Sequence, residues 1–388
     1  MKSLRALMGI MLLLALYTSA AAEDIRIGHL ADLSGPTSTV GAPYAAGIKA
    51  YTDLINESGG INGKQIKLIT ANYAYRIPEA FSFYRKFVFE DKVLAIQGWG
   101  TADTEALTKK AGKDRVPYLS ASYSSHLCDP ATAPYNFFIA ADYTTQLRAG
   151  LKYLKENWSE ERAPKIAFIY PDLPFGRAPI RGGTAYARRL GFEIVDDRHV
   201  GLKATDVKAQ LSALKADNPD FAWIGGTTRS AAVILIEAKK LGLKTVFLLN
   251  IWGNDENLVT LAGDSAEGAL GIQAAAVYGD DVPGMTALEK ATQTIAQPTH
   301  FIRGWVSMMV LCEGLKRADD AGALTGPGIK KALETLHDFD TGELTSPISY
   351  TAADHRPNMS AKIYEFSSGK MNYSDTIVLE RQADWFGR

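Results

Sequence analysis

The sequence predicts an α/β protein made of two doubly wound parallel-sheet lobes, and three observations predict it. Strand and helix patterns alternate with few exceptions, the cycle restarts near Tyr143, and 388 residues with 46% hydrophobic content are more than one core usually holds. Repeated βα alternation lays strands parallel and covers both faces of the sheet with helices.

Ile25 to Ala31 reads as a strand that leads into Asp32-Leu33-Ser34-Gly35-Pro36. The next segment, Tyr44 to Ile55, is helical by the spacing of Tyr44, Ile48, Tyr51 and Ile55, and Ser58-Gly59-Gly60 ends it. A strand at Gln65 to Thr70 and a helix from Pro78 to Glu90, with proline in its first turn, follow. Val93 to Gln97 is a buried strand, after which Gly98-Trp99-Gly100 opens a helix at Thr101 with Asp103 and Glu105 in its first turn. Val116 to Leu119 is a short strand ending in Ser120-Ala121-Ser122-Tyr123-Ser124-Ser125.

The second set begins with a helix from Tyr143 to Asn157. Strands at Lys165 to Tyr170, Glu193 to His199, Phe221 to Gly225 and Thr245 to Leu249 then alternate with helices at Gly176 to Leu190, Asp206 to Ala216 and Arg229 to Leu241. From about Val277 the tail carries helices at Met285 to Ala296, Phe301 to Ala318 and Gly328 to Leu336, then irregular strands. It holds no third α/β set, so it is expected to return and complete the earlier lobes.

The N-terminus reads as a secretory leader over residues 1–22: Lys2 and Arg5, an apolar run from Ala6 to Tyr17, then Ser19-Ala20-Ala21-Ala22. Without the leader's two bases the chain carries 40 bases against 43 acids, a net charge of −3. That balance recruits neither nucleic acid nor an anionic membrane surface. No later run reaches the ~20 apolar residues of a membrane span, so an exported protein is expected. Cys128 and Cys312 have no metal-site spacing, and both a disulfide and two separate buried thiols remain open.

Signatures of catalysis are missing. No GxSxG elbow, P-loop, HExxH or paired-cysteine pattern occurs, and no two of the six histidines stand at ligand spacing, so no catalytic residue, metal or cofactor is expected. A Ser122 or Ser124 nucleophile beside His126 lacks an acid to orient the base. A different pattern stands out. Trp99, Thr101, Ser122, Tyr123, Ser124, Phe175, Thr227, Thr228 and Trp252 are aromatic or hydroxylated, and they fall at strand ends, where open α/β sheets bind ligands. The loops at Gly98 to Thr101 and Ser120 to Ser125 each read as an anion seat or as an ordinary cap, and their place on adjacent parallel strands favours the seat.

At these residues the chain resembles the branched-chain amino-acid (Leu/Ile/Val) type of periplasmic solute-binding protein that serves ABC transporters. The likeness runs from Gly28-His29-Leu30-Ala31-Asp32-Leu33-Ser34-Gly35-Pro36 through Glu57-Ser58-Gly59-Gly60-Ile61-Asn62-Gly63-Lys64, its most specific motif, to Ala262-Gly263-Asp264-Ser265-Ala266-Glu267-Gly268. The resemblance implies the type I periplasmic-binding fold, with three crossings near Asp142, Val277 and Phe339 to Gly342 and a ligand cleft between lobes. It implies an N-terminal lobe of residues 23–141 plus 278–340 and a C-terminal lobe of 142–277 plus 341–388. It also implies a monomer that captures a small molecule outside the cytoplasm and presents it to an ABC permease in the inner membrane.

Carried over residue by residue, the resemblance puts Thr101 at the family's carboxylate-binding serine, with Ser122, Tyr123 and Ser124 in the second loop and Ser124 replacing a threonine hydroxyl. Trp99, Phe175, Thr227, Trp252 and Phe301 fall at side-chain pocket positions, and Tyr75, Arg76 and Asn250 lie within reach. Ile251 stands where amino-acid binders place the acid that pairs with the ligand ammonium; Asp172 is the only nearby candidate to replace it, and a structural role is its alternative reading. A buried ammonium without a counter-charge costs several kcal/mol. The expected ligand is therefore an aromatic or branched monocarboxylate without an amine. An amino acid, an amide and a sensory role at a receptor or regulator are the alternatives.

Overall fold

The computed structural model describes residues 23–386, so the leader read at residues 1–22 lies outside the described residues. The first sheet joins β1 (Ile25–Ala31), β2 (Ile66–Asn72), β3 (Ala95–Gln97), β4 (Tyr118–Leu119) and β5 (Asn136–Phe137) in the order β2-β1-β3-β4-β5. Every pair in it is parallel. The second has the order β12-β11-β10-β9-β8-β6-β7. There β6 (Lys165–Tyr170), β7 (Glu193–His199), β8 (Phe221–Ile224), β9 (Val246–Leu249) and β10 (Leu270–Gln273) pair in parallel. Its edge is an antiparallel hairpin of β11 (Ser360–Ser367) and β12 (Lys370–Val378). The sequence left that tail irregular, and it missed β5 and β10. Two-residue β5 is too short for a period to register, and β10 is an all-buried Leu-Gly-Ile-Gln run with no alternation.

The chain crosses between the sheets three times: between β5 and β6, after β10, and before β11. After β10 it returns to the first lobe, where α11 (Thr299–Asp320) packs along α1 (Ser38–Glu57). Between them in chain order stand α2 (Ile77–Arg85), α3 (Thr101–Asp114), α4 (Tyr143–Glu156), α5 (Pro174–Arg177), α6 (Ile180–Arg189), α7 (Lys208–Asp217), α8 (Thr228–Leu241), α9 (Asn257–Ala262) and α10 (Met285–Ala291); α12 (Gly326–Leu333) follows.

Helix α11 is buried nearly all round, including Trp305, Ser307 and Arg303, as befits a helix inside a lobe. Its contact with α1 is backbone on backbone. A methyl on Gly304 would lie 1.9 Å from the Tyr44 carbonyl oxygen, and one on Gly47 would lie 2.0 Å from that of Phe301. Only glycine admits such an approach. The apolar core of the first lobe also takes in Phe175, Ile251 and Trp252, which extend from the second.

Cys128 and Cys312 are both buried free thiols, and the Cys128 thiol donates to the Ser125 carbonyl at 2.8 Å, which settles the alternative left open above against a disulfide. Replacing Gly304 by alanine is expected to destabilise the protein by about 1–3 kcal/mol through overpacking. Urea titration should show a lower midpoint at unchanged slope.

Candidate functional site

The carboxyl ends of both sheets face each other across a narrow cleft. Its walls are Thr37, Val40, Tyr75, Trp99, Gly100, Thr101, Ala121, Tyr143, Phe175, Thr227 and Trp252, around a small space that opens to solvent.

The first lobe's wall is set by two anchored loops. Asp32, at the end of β1, accepts from the amides of Gly35 and Thr37 and, at 2.6 Å, from the Thr37 hydroxyl. That hydroxyl in turn accepts from the Trp99 indole at 2.8 Å, so the loop after β1 fixes the ring at the end of β3. Gly100 must be glycine for lack of room, since a methyl there would meet Asp103 and the Tyr75 ring, each at 2.4 Å. Ala74 and Tyr75 are consecutive left-handed residues, with φ of 50° and 61°. This strained turn lays the Tyr75 ring over Gly100 and brings its hydroxyl to the Thr101 backbone.

Thr101 opens α3, and its hydroxyl is 2.7 Å from that of Ser122, which donates to Ser124 at 3.4 Å. At the start of α3 the Tyr75 hydroxyl meets the Thr101 amide, and the Asp103 carboxyl meets the amides of Gly100 and of its own residue. Thr101 lines the space; Ser122 and Ser124 stand behind it. Tyr123 also stands behind, stacked 5.8 Å from Trp252 at 10°.

The second lobe supplies Phe175 from α5, Thr227 before α8 and Trp252 after β9. Thr227 stands at the N-cap of α8 in a capping box, its amide donating to the Ser230 hydroxyl at 2.9 Å. Trp252 sits in a cage of rings, 4.9 Å from Trp99 and 6.0 Å from Tyr44, and its indole donates to the Tyr143 hydroxyl at 2.7 Å.

The loop that carries Trp252 is tied to α11 of the other lobe. Asp255 Oδ2 lies 2.7 Å from His300 Nε2, Glu256 accepts from the Thr299 amide at 2.9 Å, and the Ile251 carbonyl accepts from Arg303 at 3.2 Å. Burial works to raise the Asp255 carboxyl, but His300, the Thr228 hydroxyl and the Asn257 amide hold it below its usual range. Burial, helped by Arg303, pushes His300 below its usual value. His300 thus joins Asp255 to Arg303.

Several expected residues stand elsewhere. Phe301 turns into the α1–α11 contact, 6.5 Å from Trp305, because its helix presents that face to its own lobe. Arg76 points to solvent and pairs with Glu79 at 2.9 Å. Asn250 spends its side-chain oxygen on the Gly253 amide, shaping the turn. Ile251 is fully buried in the core. Asp172 is half exposed and paired with Arg177, away from the cavity's walls. His126 faces Glu105 at 3.1 Å rather than a serine hydroxyl. Sequence reasoning missed Thr37, Val40, Ala121 and Tyr143. Only Tyr143 had a signal, the Asp142 N-cap that fixes the start of its helix.

The model of the family described as periplasmic binding protein matches residues 24–370. The Leu/Ile/Val-binding protein of Escherichia coli (strain K12) is 25% identical over 329 residues, which cover 81% of this chain and 86% of that protein. An ABC transporter substrate-binding protein from Aeropyrum pernix superposes with a TM-score of 0.87 at 30% identity, covering 94% of this chain and 98% of that one. A branched-chain amino-acid ABC transporter protein from Thermus thermophilus, solved with bound valine, gives 0.86 at 24% identity, with the same coverage of 94% and 98%.

Asp103 adds a titratable element beside the cleft. Burial raises its carboxyl to about 7 despite the Tyr73 hydroxyl, which donates to it at 2.7 Å, and the amides of Gly100 and its own residue. A carboxyl raised on folding contributes fully below its unfolded value near 4, and that contribution is lost as pH rises through about 7. Asp103→Asn is therefore expected to be more stable than the parent at pH 8, by on the order of 1 kcal/mol or more, with the gap closing at pH 4. Melting curves at the two pH values check it.

Proposed function

The chain belongs to the periplasmic binding protein family and is the substrate-binding component of an ABC transporter, not an enzyme; within that role we propose that its ligand is a small aromatic or branched monocarboxylate without an amine. The observation that carries this reading is the chemistry of the cavity's walls. Tyr75, Trp99, Tyr143, Phe175 and Trp252 supply rings, Thr37, Thr101 and Thr227 supply hydroxyls, and no side chain on the walls is charged. An ammonium there would be desolvated without a counter-charge, at several kcal/mol. A flat or branched apolar body meets the kind of surface that such pockets use for grip.

The carboxylate sits at Thr101, whose hydroxyl lines the cavity with the serine chain behind it. Binding starts on this first lobe. Phe175, Thr227 and Trp252 then close from the second, and contacts to both lobes shift the population toward the closed form. That form, a monomer, is what the permease recognises in the extracytoplasmic space where the family works. The amino-acid reading is favoured by one observation, the name of the Escherichia coli relative.

A thermal-shift screen of refolded protein with aromatic acids, aliphatic acids, amino acids and amides separates the two. A ligand at 100 times its Kd stabilises by about 2.7 kcal/mol, and aromatic or branched acids are expected to do so. A response confined to α-amino acids overturns the amine-free reading. Thr101→Ala is expected to weaken carboxylate binding about tenfold, or about 1.4 kcal/mol; unchanged affinity moves the seat elsewhere.

A further inference from the structure

Tyr73 and Tyr75 stand over the start of α3 in the same way and differ in what lies on their far side. The Gly100 amide donates to the Tyr73 hydroxyl at 3.3 Å, and that hydroxyl donates in turn to the Asp103 carboxyl at 2.7 Å. One phenol thus links a helix-start amide to a carboxyl. One residue along, the Thr101 amide meets the Tyr75 hydroxyl. An amide N–H can only donate, so the Tyr75 oxygen receives there and keeps its own proton for an acceptor on another side. Burial, and then the charge of Asp103, raises this phenol well above its usual value, so the proton stays on the oxygen in neutral solution. Tyr75 lines the cleft beside Gly100 and Thr101, and the cleft is where that proton is offered.

The backbone is shaped to put the ring there. Ala74 and Tyr75 both have left-handed φ, 50° and 61°, which a side chain disfavours. The turn is nevertheless held: the Asn72 side-chain oxygen accepts from the Ala74 amide at 3.1 Å and from the Leu33 amide at 3.0 Å, and the Tyr73 carbonyl accepts from the Arg76 amide at 3.0 Å. A methyl on Gly35 would lie 2.5 Å from the Ala74 carbonyl oxygen, and one on Gly100 would lie 2.4 Å from the Tyr75 ring, so glycines on both sides give the turn its room. Strain kept in place by this many contacts marks a working position.

Thr101 alone is a poor seat for a carboxylate. No side chain on the walls is charged, so the anion has to be matched by hydrogen bonds. The Thr101 and Ser122 hydroxyls lie 2.7 Å apart and either can donate, while Ser122 donates to Ser124 at 3.4 Å. Run in that direction, the chain points the Thr101 proton away from the cleft. The Tyr75 proton lies outside that chain.

We propose that Tyr75 is a specificity-determining residue of the site, its hydroxyl donating to one oxygen of the ligand's carboxylate, which stands to Tyr75 as the Asp103 carboxyl stands to Tyr73. The seat is then Tyr75 and Thr101 together. This rests on the carboxylate reading of the cleft and adds to it the group that recognises the anion.

Calorimetric titration with benzoate, isovalerate and benzamide tests it in the parent and in Tyr75→Phe, which keeps the ring and the turn and removes one hydroxyl. Both acids are expected to bind the variant roughly tenfold or more weakly, and benzamide about twofold more weakly at most, because a hydrogen bond to an ionised acceptor is the stronger one. A hydroxyl that only props the Thr101 amide would weaken acid and amide alike. In the parent, with tyrosine isotope-labelled at Cζ, benzoate is expected to move the Tyr75 resonance and benzamide to leave it in place, which carries the test if Tyr75→Phe does not give a native melt. Unchanged acid affinity in the variant, an equal loss for acid and amide, or a Tyr75 resonance that ignores bound benzoate overturns the role of Tyr75 and leaves the carboxylate reading standing. Failure of both acids to bind the parent overturns that reading and the role of Tyr75 with it.

Discussion

The Trp252 indole, a side chain of one lobe buried in the aromatic cage of the other, is the contact on which the cleft depends. Trp99 and Tyr44 come from the first lobe, and Tyr143 from the first helix after the crossing. Each is fixed by something further back: Trp99 by Thr37 and Asp32, and Tyr143 by the N-terminal position that Asp142 caps. The loop beneath the indole is held by Asp255, Glu256 and the Ile251 carbonyl on α11. The cavity has its shape because one ring satisfies all of these at once.

Charge in this region is used to join the lobes and is kept off the cavity. Asp255, His300 and Arg303 run as a buried line from the second lobe to the first, and Glu256 caps the N-terminus of α11, where the Thr299 amide is otherwise free. Removing one member would leave a charge buried without its partner, which is worse than losing the pair. Asp103 is the exception close to the cleft, and its raised carboxyl reflects burial that Tyr73 only partly offsets.

The architecture was largely legible in the sequence because hydrophobic period and glycine punctuation are local signals. The strands β1, β6 and β7 and the helices α3 and α4 begin where that reading begins them. Trp99, Thr101, Phe175, Thr227 and Trp252, which the strand-end rule singles out, stand together on the walls of one cavity, since loops after parallel strands face one another there. Ser122, Tyr123 and Ser124 share the loop but stand behind the wall, and Phe301 lies on a helix face inside its own lobe. Val40 escaped because the reading began its helix only at Tyr44, whereas α1 starts at Ser38, and Tyr143 because it opens a helix whose apolar face reads as core. Arg303 escaped because a cation within an apolar helix gives no sign of which ring it will cover.

The glycine contact between α1 and α11 bears on how such a pocket can change its taste in molecules. Helices that touch through their backbones have no layer of side chains to thin or thicken, so this half behaves as a hard jaw whose position mutation cannot easily adjust. The opposite half offers Phe175 on the short helix α5 and Thr227 on the turn before α8, both on the cavity's wall and outside the glycine contact. Divergence toward bulkier or smaller cargo is thereby channelled to the soft jaw. Two descendants of this chain could differ in diet while remaining superimposable over their entire first lobe.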